Sequence, residues 1–230
     1  MTLPHRDSKT SVDFSRQKST IILGCGGHAR VLISTLEEQQ FLLNGTVDPG
    51  YSVGTKTSEG LIVRGRELIE LAEHFPPTRC QLVNGIGYLG THDRRRLQFL
   101  KAQEFGYRFP IILHPAVVIG RNCHLEQGVQ LMAGVVIQNN VTLDQNSIVN
   151  TSASIDHDCH IAAHSHIAPG VHLAGNVRVG EHSLIGIGST IVQGVSIGSN
   201  SIVGAGSVVL HSIPDNVVAV GNPAQVIRKK

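Results

Sequence analysis

A six-residue repeat of aliphatic residues runs through the second half of this chain. Counted in steps of six from Leu113 to Val209, seventeen consecutive positions are each Leu, Ile or Val. The residues four positions after these anchors are also small or branched, from Val117 to Val171. Hexapeptide repeats of this kind form a parallel β-helix, in which each anchor points inward and stacks on the equivalent anchor of the next coil. The repeat therefore predicts a β-helix over residues 111–214.

The composition agrees with a core built from aliphatic side chains instead of rings. The chain has no Trp and only 4% aromatic residues, against 41% hydrophobic residues and 25 Gly. Each buried anchor contributes roughly 1.5–3 kcal/mol, so the repeat can supply a core without aromatics. Glycine directly follows the anchor at five positions, where we expect it to permit corner conformations that a Cβ would penalise: Gly120, Gly180, Gly186, Gly198 and Gly204.

Residues 20–110 follow a different pattern, in which apolar runs alternate with stretches of helical spacing. Such alternation predicts a small α/β domain with a parallel, Rossmann-like sheet. Residues 1–19 are predicted to be a disordered leader, and residues 215–230 a C-terminal cap. The predicted strands are Thr20–Leu23, Phe41–Val47 and Gln81–Val83, and the predicted helices are Ala29–Glu38, Arg66–His74 and His92–Glu104.

Charge and hydropathy exclude several classes of protein. The net charge is +2, from 19 basic and 17 acidic residues, which gives no field to drive binding to a nucleic-acid backbone. No stretch approaches the roughly 18 consecutive apolar residues of a membrane-spanning helix, and the start of the chain lacks the apolar region of a signal peptide. The four cysteines are far apart, without CxxC or zinc spacing, which favours the reducing cytoplasm.

A glycine-rich loop, Gly24-Cys25-Gly26-Gly27-His28, follows the first predicted strand and opens the first predicted helix. This is the context that a phosphate-binding turn requires. The dinucleotide pattern would place Gly where Ala29 stands, a substitution that the pattern tolerates. With about 90 residues before the β-helix, a nucleotide diphosphate fits better than a dinucleotide. A tight turn without ligand remains the alternative.

Histidines are concentrated in the β-helix, with six of the 13 between His157 and His182. Most such residues are half-exposed strand residues. None has a nearby Cys or carboxylate in a familiar ligand spacing, so we expect no metal site. His166 lies nine residues after His157, half of an 18-residue coil, and should therefore face a different side of the same prism.

His157 is the most specific of these histidines. It lies two residues after the anchor Ile155, between Asp156 and Asp158, and we expect it on the outside of the prism. A carboxylate on one ring nitrogen fixes the tautomer and leaves the other nitrogen to accept a proton, as a general base requires. Cys159 has the parity of an inward residue, which argues against an acyl-cysteine intermediate.

Three stretches together are similar to a known family of enzymes. They are Ile21–Ala29, Asn150–Gly170 and Ile213–Ala224. With them, residues from about 20 to 228 resemble the bacterial hexapeptide-repeat sugar acyltransferases of the sialic acid O-acetyltransferase and nucleotide-amino-sugar N-acetyltransferase family. The resemblance implies a left-handed β-helix with three hexads per coil, hence five to six coils, and a homotrimer with active sites between subunits.

The resemblance also implies roles for individual residues. His157 would be the catalytic base, and Asp158 would raise its proton affinity. His166 would lie near the acyl-CoA thioester, with Gly221 and Pro223 near the adenine end. The remaining implied contacts are to the pantetheine and thioester through the backbone at Gly175, Ile187 and Ala205, and to the nucleotide sugar through Gly24, Cys25, Gly26, Gly27, His28 and Asp48.

The function implied is that of an acetyl-CoA-dependent N-acetyltransferase of bacterial surface glycan synthesis. Its acceptor would be a nucleotide-linked amino sugar of the 4-amino-4,6-dideoxy type, whose amine attacks the thioester directly. One alternative is O-acetylation of a sialic-acid-like sugar, which uses the same fold, donor and histidine. Another is a non-catalytic protein that binds sugar nucleotides, although such a protein has no need of His157 and Asp158.

Overall fold

The computed structural model describes residues 16–90 and 92–230. The predicted leader, residues 1–19, lies outside the described residues up to residue 15, and its last residue, Ser19, begins the first strand. The first part of the described chain is a four-stranded parallel sheet in the order β3-β2-β1-β4, with three helices. Its elements are β1 Ser19–Leu23, α1 Gly27–Glu38, β2 Leu43–Val47, β3 Val63–Gly65, α2 Leu68–His74, β4 Cys80–Asn84 and α3 Arg94–Glu104.

Three of these elements begin two residues later than predicted, and one was not predicted. β2, α2 and α3 begin at Leu43, Leu68 and Arg94. At α2 the reason is local, because Glu67 is the N-cap residue and its backbone is extended. The additional strand, β3, has only three residues, too few to display a two-residue period.

Seventeen strands of two residues each follow, and together they form the left-handed parallel β-helix. Two longer strands, β22 Val217–Gly221 and β23 Ala224–Lys229, close its end as an antiparallel pair. The short strands are β5 Ile112–Leu113, β6 Val118–Ile119, β7 His124–Leu125, β8 Gln130–Leu131, β9 Val136–Ile137, β10 Thr142–Leu143, β11 Ile148–Val149, β12 Ser154–Ile155, β13 His160–Ile161, β14 His166–Ile167, β15 His172–Leu173, β16 Arg178–Val179, β17 Leu184–Ile185, β18 Thr190–Ile191, β19 Ser196–Ile197, β20 Ile202–Val203 and β21 Val208–Val209.

Every third strand pairs with the next in parallel, which makes a prism with three faces. The first face is the eight-stranded sheet that begins with β5 and ends with β23, the second is the six-stranded sheet from β6 to β21, and the third is the five-stranded sheet from β7 to β19. His160 pairs with Thr142 below and Arg178 above. A coil is therefore 18 residues long, as predicted, and each residue stacks on the residue 18 positions earlier.

The hexad anchors form the core of the prism. Fifteen of the seventeen are buried, and only Leu113 and Ile119 in the first coil are half-buried. Stacking explains the difference, because the first coil has a neighbour on one side only. The domain boundaries stay a prediction, although the change of architecture falls between the end of α3 at Glu104 and the start of β5 at Ile112.

The corners of the prism correct the role expected for the glycines that follow the anchors. Positive φ recurs instead three residues after the anchors, at every sixth residue from Asn122 to Gly206. Asn, Gly, His, Ser and Asp occupy these positions, and Asn, Asp and Gly tolerate this conformation best. Glycine after the anchor meets a different need, close stacking. An added Cβ at Gly186 would lie 2.6 Å from the Ala205 nitrogen of the next coil.

The first face of the prism packs against the N-terminal sheet through a buried polar junction. Fully buried Arg95 of α3 donates to the carbonyls of Asn84 at 2.9 Å and Ile86 at 2.7 Å. Gln130 of β8 donates to the same Asn84 carbonyl at 2.9 Å. The Asn84 amide donates to Asn146 Oδ1 at 3.1 Å. Burial lowers the pKa of Arg95 to about 9, and in the described part of the chain carbonyls, not carboxylates, accept its hydrogen bonds.

None of the helices in the described ranges is long and apolar enough to cross a membrane.

Burial of the anchors predicts a graded cost of truncation. We expect Ile161→Ala, at a fully buried anchor, to cost about 2–5 kcal/mol and to lower Tm by about 5 °C or more. Ile119→Ala, at the half-buried anchor of the first coil, should cost clearly less. Thermal unfolding followed by circular dichroism measures both. Equal losses for the two variants would contradict stacking as the source of stability.

Candidate active site

His157 and Asp158 lie at the corner between β12 and β13, where the second face meets the third. The two side chains are in contact, with His157 Nδ1 2.7 Å from Asp158 Oδ2. The carboxylate can only accept, so Nδ1 carries the proton and Nε2 holds the lone pair. This hydrogen bond raises the pKa of His157, and the nearby carboxylates Asp156 and Asp158 add to the effect. Both side chains are half exposed, so the free nitrogen can reach a substrate.

Backbone geometry fixes this pair at the corner. Asp158 has φ +62°, the conformation that recurs at every corner of the prism, and Asp is among the residues that tolerate it. Its N–H donates to the carbonyl of Asn139 at 3.1 Å, one coil below. The His157 N–H is capped by Asp156 Oδ1 at 2.8 Å. The predicted pair therefore occupies a defined position on the outside of the β-helix.

Gly175 is the residue directly above His157 in the next coil. An added Cβ at this position would lie 2.6 Å from both Cε1 and Nε2 of His157. An alanine here would therefore force the imidazole to move, because the ring lies against the Cα of Gly175. Gly175 is buried, its carbonyl accepts from Gly194 N–H, and its own N–H has no hydrogen-bond partner within the described residues. That amide can therefore donate to a group bound beside His157.

Cys159, the residue after the pair, points into the core. Its side chain is buried, with Sγ 3.2 Å from the Ala174 carbonyl and 3.3 Å from the Val177 amide nitrogen. Burial raises the pKa of the thiol. A nucleophilic thiolate is disfavoured at such a position, in agreement with the parity of the sequence.

His166 lies on the first face of the prism, apart from His157. Its Nδ1 is 2.7 Å from the Tyr88 carbonyl, so Nδ1 carries the proton. Its Nε2 accepts from Asn150 Nδ2 at 3.2 Å. Burial lowers the pKa of His166 to about 4. One chain does not bring the two histidines together, and a role of His166 beside the thioester stays a prediction.

The other residues expected along the acyl-CoA lie at two further places. Ile187 and Ala205 occupy successive coils at the corner between the first and second faces, and both are exposed. Gly221 and Pro223 lie exposed at the tip of the β22–β23 hairpin. Within one chain, these residues and Gly175 are therefore on two different corners and one end of the prism.

The glycine-rich loop joins β1 to α1, as predicted. Asp48 closes it, since Oδ2 accepts from the Cys25 amide at 2.9 Å while Oδ1 accepts from Gly50 at 2.8 Å. Gly24 is buried with φ +92°, whereas Gly26 and Gly27 are exposed. Gly26 is the N-cap of α1, which has no side-chain cap and no acidic residue in its first turn. The amides at this helix end are thus open to an anion.

His28, at the end of that loop, contacts the β-helix, and its role in binding the nucleotide sugar stays a prediction. Its ring turns towards the β-helix, where Nε2 donates to Gln130 Oε1 at 2.8 Å. Burial lowers the pKa of His28 to about 3, which keeps the ring neutral. The side chain of His28 therefore joins the two parts of the chain. Among residues 16–90 and 92–230, no three or more His, Cys, Asp and Glu are grouped so that they could hold a metal ion.

Comparison with known proteins relates this arrangement to sugar acetyltransferases. The family described as hexapeptide repeat of succinyl-transferase matches residues 116–145 and 176–211. The acetyltransferase domain of PglB from Neisseria gonorrhoeae FA1090 is 31% identical, with 92% of this chain and 100% of that chain covered and a TM-score of 0.82. A mutant perosamine N-acetyltransferase from Caulobacter crescentus, solved with CoA and GDP-perosamine, is 34% identical, with 90% and 96% covered and a TM-score of 0.82.

The chain belongs to the hexapeptide-repeat sugar acyltransferases. This membership confirms the predicted class of enzyme, an acetyl-CoA-dependent acyltransferase. WeeI from Acinetobacter baumannii AYE is 21% identical, with 90% of this chain and 99% of that chain covered and a TM-score of 0.78. At this level of identity the match supports only the fold. No curated protein sequence matches the chain.

The contact between Gly175 and His157 predicts how a substitution at Gly175 affects the activity of this acyltransferase. Gly175→Ala should displace the imidazole and lower kcat about tenfold to a hundredfold. In a His157→Ala background, the same change should alter kcat less than about twofold, because no ring remains to be displaced. Steady-state kinetics of the four proteins, with Tm as a check on folding, measures this coupling. If the losses in kcat were additive, the effect of Gly175→Ala would not act through His157.

Proposed function

We propose that the chain transfers an acetyl group from acetyl-CoA to the amine of a nucleotide-linked amino sugar, with His157 as general base. The observation that carries the proposal is the His157–Asp158 pair: the imidazole lies against Gly175, and within the described residues its Nε2 has no hydrogen-bond partner. A neutral imidazole that is oriented by a carboxylate is suited to take a proton from an attacking amine. The resemblance to a perosamine N-acetyltransferase favours an amine as the acceptor.

His157 and Gly175 supply the groups that assist the bond changes of this reaction. The amine nitrogen attacks the thioester carbonyl carbon while His157 Nε2 takes the amine proton. The Gly175 N–H donates to the oxyanion that forms on the carbonyl oxygen. When the carbon–sulfur bond breaks, the protonated His157 returns its proton to the leaving sulfur. The products are the amide and CoA with a free thiol.

The donor is proposed to lie along the outside of the β-helix, between neighbouring prisms of a homotrimer. Gly175, Ile187 and Ala205 would line its pantetheine arm, and Gly221 and Pro223 its adenine end. His166 of one subunit would then approach the thioester beside His157 of another. Ile187 is 61% exposed, so its side chain is available for such a contact. The PglB domain has also been solved with acetyl coenzyme A.

The N-terminal sheet is proposed to hold the nucleotide sugar. Its diphosphate would meet the open amides of Gly26 and Gly27 at the start of α1, near Asp48. The acceptor is taken to be a 4-amino-4,6-dideoxy sugar of bacterial surface glycan synthesis. The four free cysteines fit a reducing cytoplasm as the place of this reaction.

A product assay tests the proposal. Purified protein is incubated with acetyl-CoA and a panel of nucleotide-linked amino sugars and free sialic acids, and products are identified by mass spectrometry. We expect an alkali-stable, singly acetylated amino sugar, and a kcat at least about 10²-fold lower for His157→Ala. An alkali-labile ester would assign O-acetylation instead. Near-normal turnover by a folded His157→Ala protein would overturn the role of His157.

A charge at the start of α1 tests the proposed phosphate site. Gly27 is exposed, and an added Cβ there would approach only Arg30 Nη2, at 3.8 Å. Gly27→Asp should raise KM for the nucleotide sugar about tenfold, equivalent to about 1.4 kcal/mol, because its carboxylate competes for the open amides. KM for acetyl-CoA should not change. Gly27→Asn, with the same shape and no charge, is the control and should stay close to wild type.

A further inference from the structure

We infer that Asn140 is a positioning residue for the acid–base pair and acts through Asp158. Asn140 occupies the same corner as Asp158, one coil below, and its Nδ2 donates to Asp158 Oδ1 at 3.0 Å. The other carboxylate oxygen, Oδ2, accepts from His157 at 2.7 Å. The carboxylate is thus held from both sides, by an amide below and an imidazole beside it. The inference rests on the proposed role of His157 as base.

The hydrogen bond from Asn140, called the tether below, is needed because Asp158 is on the surface. Its side chain is 51% exposed, and an exposed carboxylate without a second partner exchanges between rotamers and water. Such exchange would break the hydrogen bond that fixes the His157 tautomer. The Asn140 amide removes that freedom at the oxygen that His157 does not use.

The coil backbone holds the tether at a fixed distance and orientation. Asn140 and Asp158 have φ +61° and +62°, the same corner conformation. The amides of both donate to the preceding coil, Asn140 to Arg121 and Asp158 to Asn139. Asn122 in turn donates from Nδ2 to Asn140 Oδ1 at 3.3 Å. With its oxygen engaged below, Asn140 must present its NH₂ group to the carboxylate above.

The hydrogen bond also has an electrostatic effect. Donation from His157 and from Asn140 lowers the pKa of Asp158, so the group remains a carboxylate. The charged groups that face His157 are Asp156 and Asp158, and both raise its pKa. Without the amide, Asp158 is free to leave the imidazole, and the pKa of His157 should then fall towards its ordinary value.

Two substitutions at Asn140 separate positioning from space filling. Asn140→Gly keeps a residue that accepts positive φ and removes the donor. Asn140→Asp keeps the shape but replaces the donor with a second carboxylate, which repels Asp158. Asn200→Gly is the matched control, because it removes an Asn at φ +54° whose Nδ2 donates to Asn216 Oδ1 at 2.7 Å, at a different corner of the prism from His157 and Asp158. Asp158→Asn gives the reference for complete loss of the carboxylate.

The readouts are the pKa of His157, followed by NMR at the imidazole signal that His157→Ala removes, and the pH dependence of kcat. Asn140→Gly should lower the pKa of His157, move the acidic limb of kcat to lower pH, and reduce kcat about three- to tenfold. Asn140→Asp should reduce kcat further at neutral pH. Asn200→Gly should remain within about twofold of wild type in kcat.

The outcomes distinguish this inference from the proposed function. Asn140 variants that match Asn200→Gly in both readouts, while His157→Ala is inactive, would overturn the role of Asn140 alone. An active His157→Ala protein would overturn the proposed base, and with it the catalytic meaning of Asn140. The NMR pKa is measured without turnover, so it reports on the tether in either case.

Discussion

The 18-residue coil is the constraint on which the rest of the structure depends. Parallel pairing fixes the spacing between coils at about 4.8 Å, so every side chain has a defined neighbour one coil above and one below. In the interior this stacks aliphatic anchors into a continuous core. On the outside it gives neighbours to residues that would otherwise be isolated on a surface. The geometry of the candidate site is a consequence of the same stacking, with His157 beneath Gly175 and Asp158 above Asn140.

The backbone conformation at the corners limits which residue types can occupy them. The corner that carries Asp158 has positive φ at Asn122, Asn140 and Asp158, a conformation in which Asn and Asp are several-fold enriched. The residues that the backbone accepts there also have short polar side chains able to bond to one another across coils. A carboxylate beside a histidine can therefore occupy this corner without backbone strain beyond that of any other corner.

Sequence reasoning reached the β-helix and the His157–Asp158 pair because both are encoded locally, in a six-residue period and in adjacent residues. It missed Asn140, although the 18-residue spacing to Asp158 was available as a signal once a coil length was adopted. It could not find the bond between His28 and Gln130, which are 102 residues apart. No local pattern specifies which face of the prism meets the N-terminal sheet, and that contact turns His28 away from the glycine-rich loop.

That contact also buries histidines and so lowers their pKa values. Burial lowers the pKa of His28 to about 3 and of His164 and His166 to about 4. His28 and His166 are held as neutral tautomers by Gln130 and by the Tyr88 carbonyl, and both link the two parts of the chain. His157 is exposed, and its carboxylate partner raises its pKa. The polar junction between sheet and prism thus uses histidine as a neutral hydrogen-bonding group, whereas at the exposed corner a carboxylate partner favours the charged form of His157.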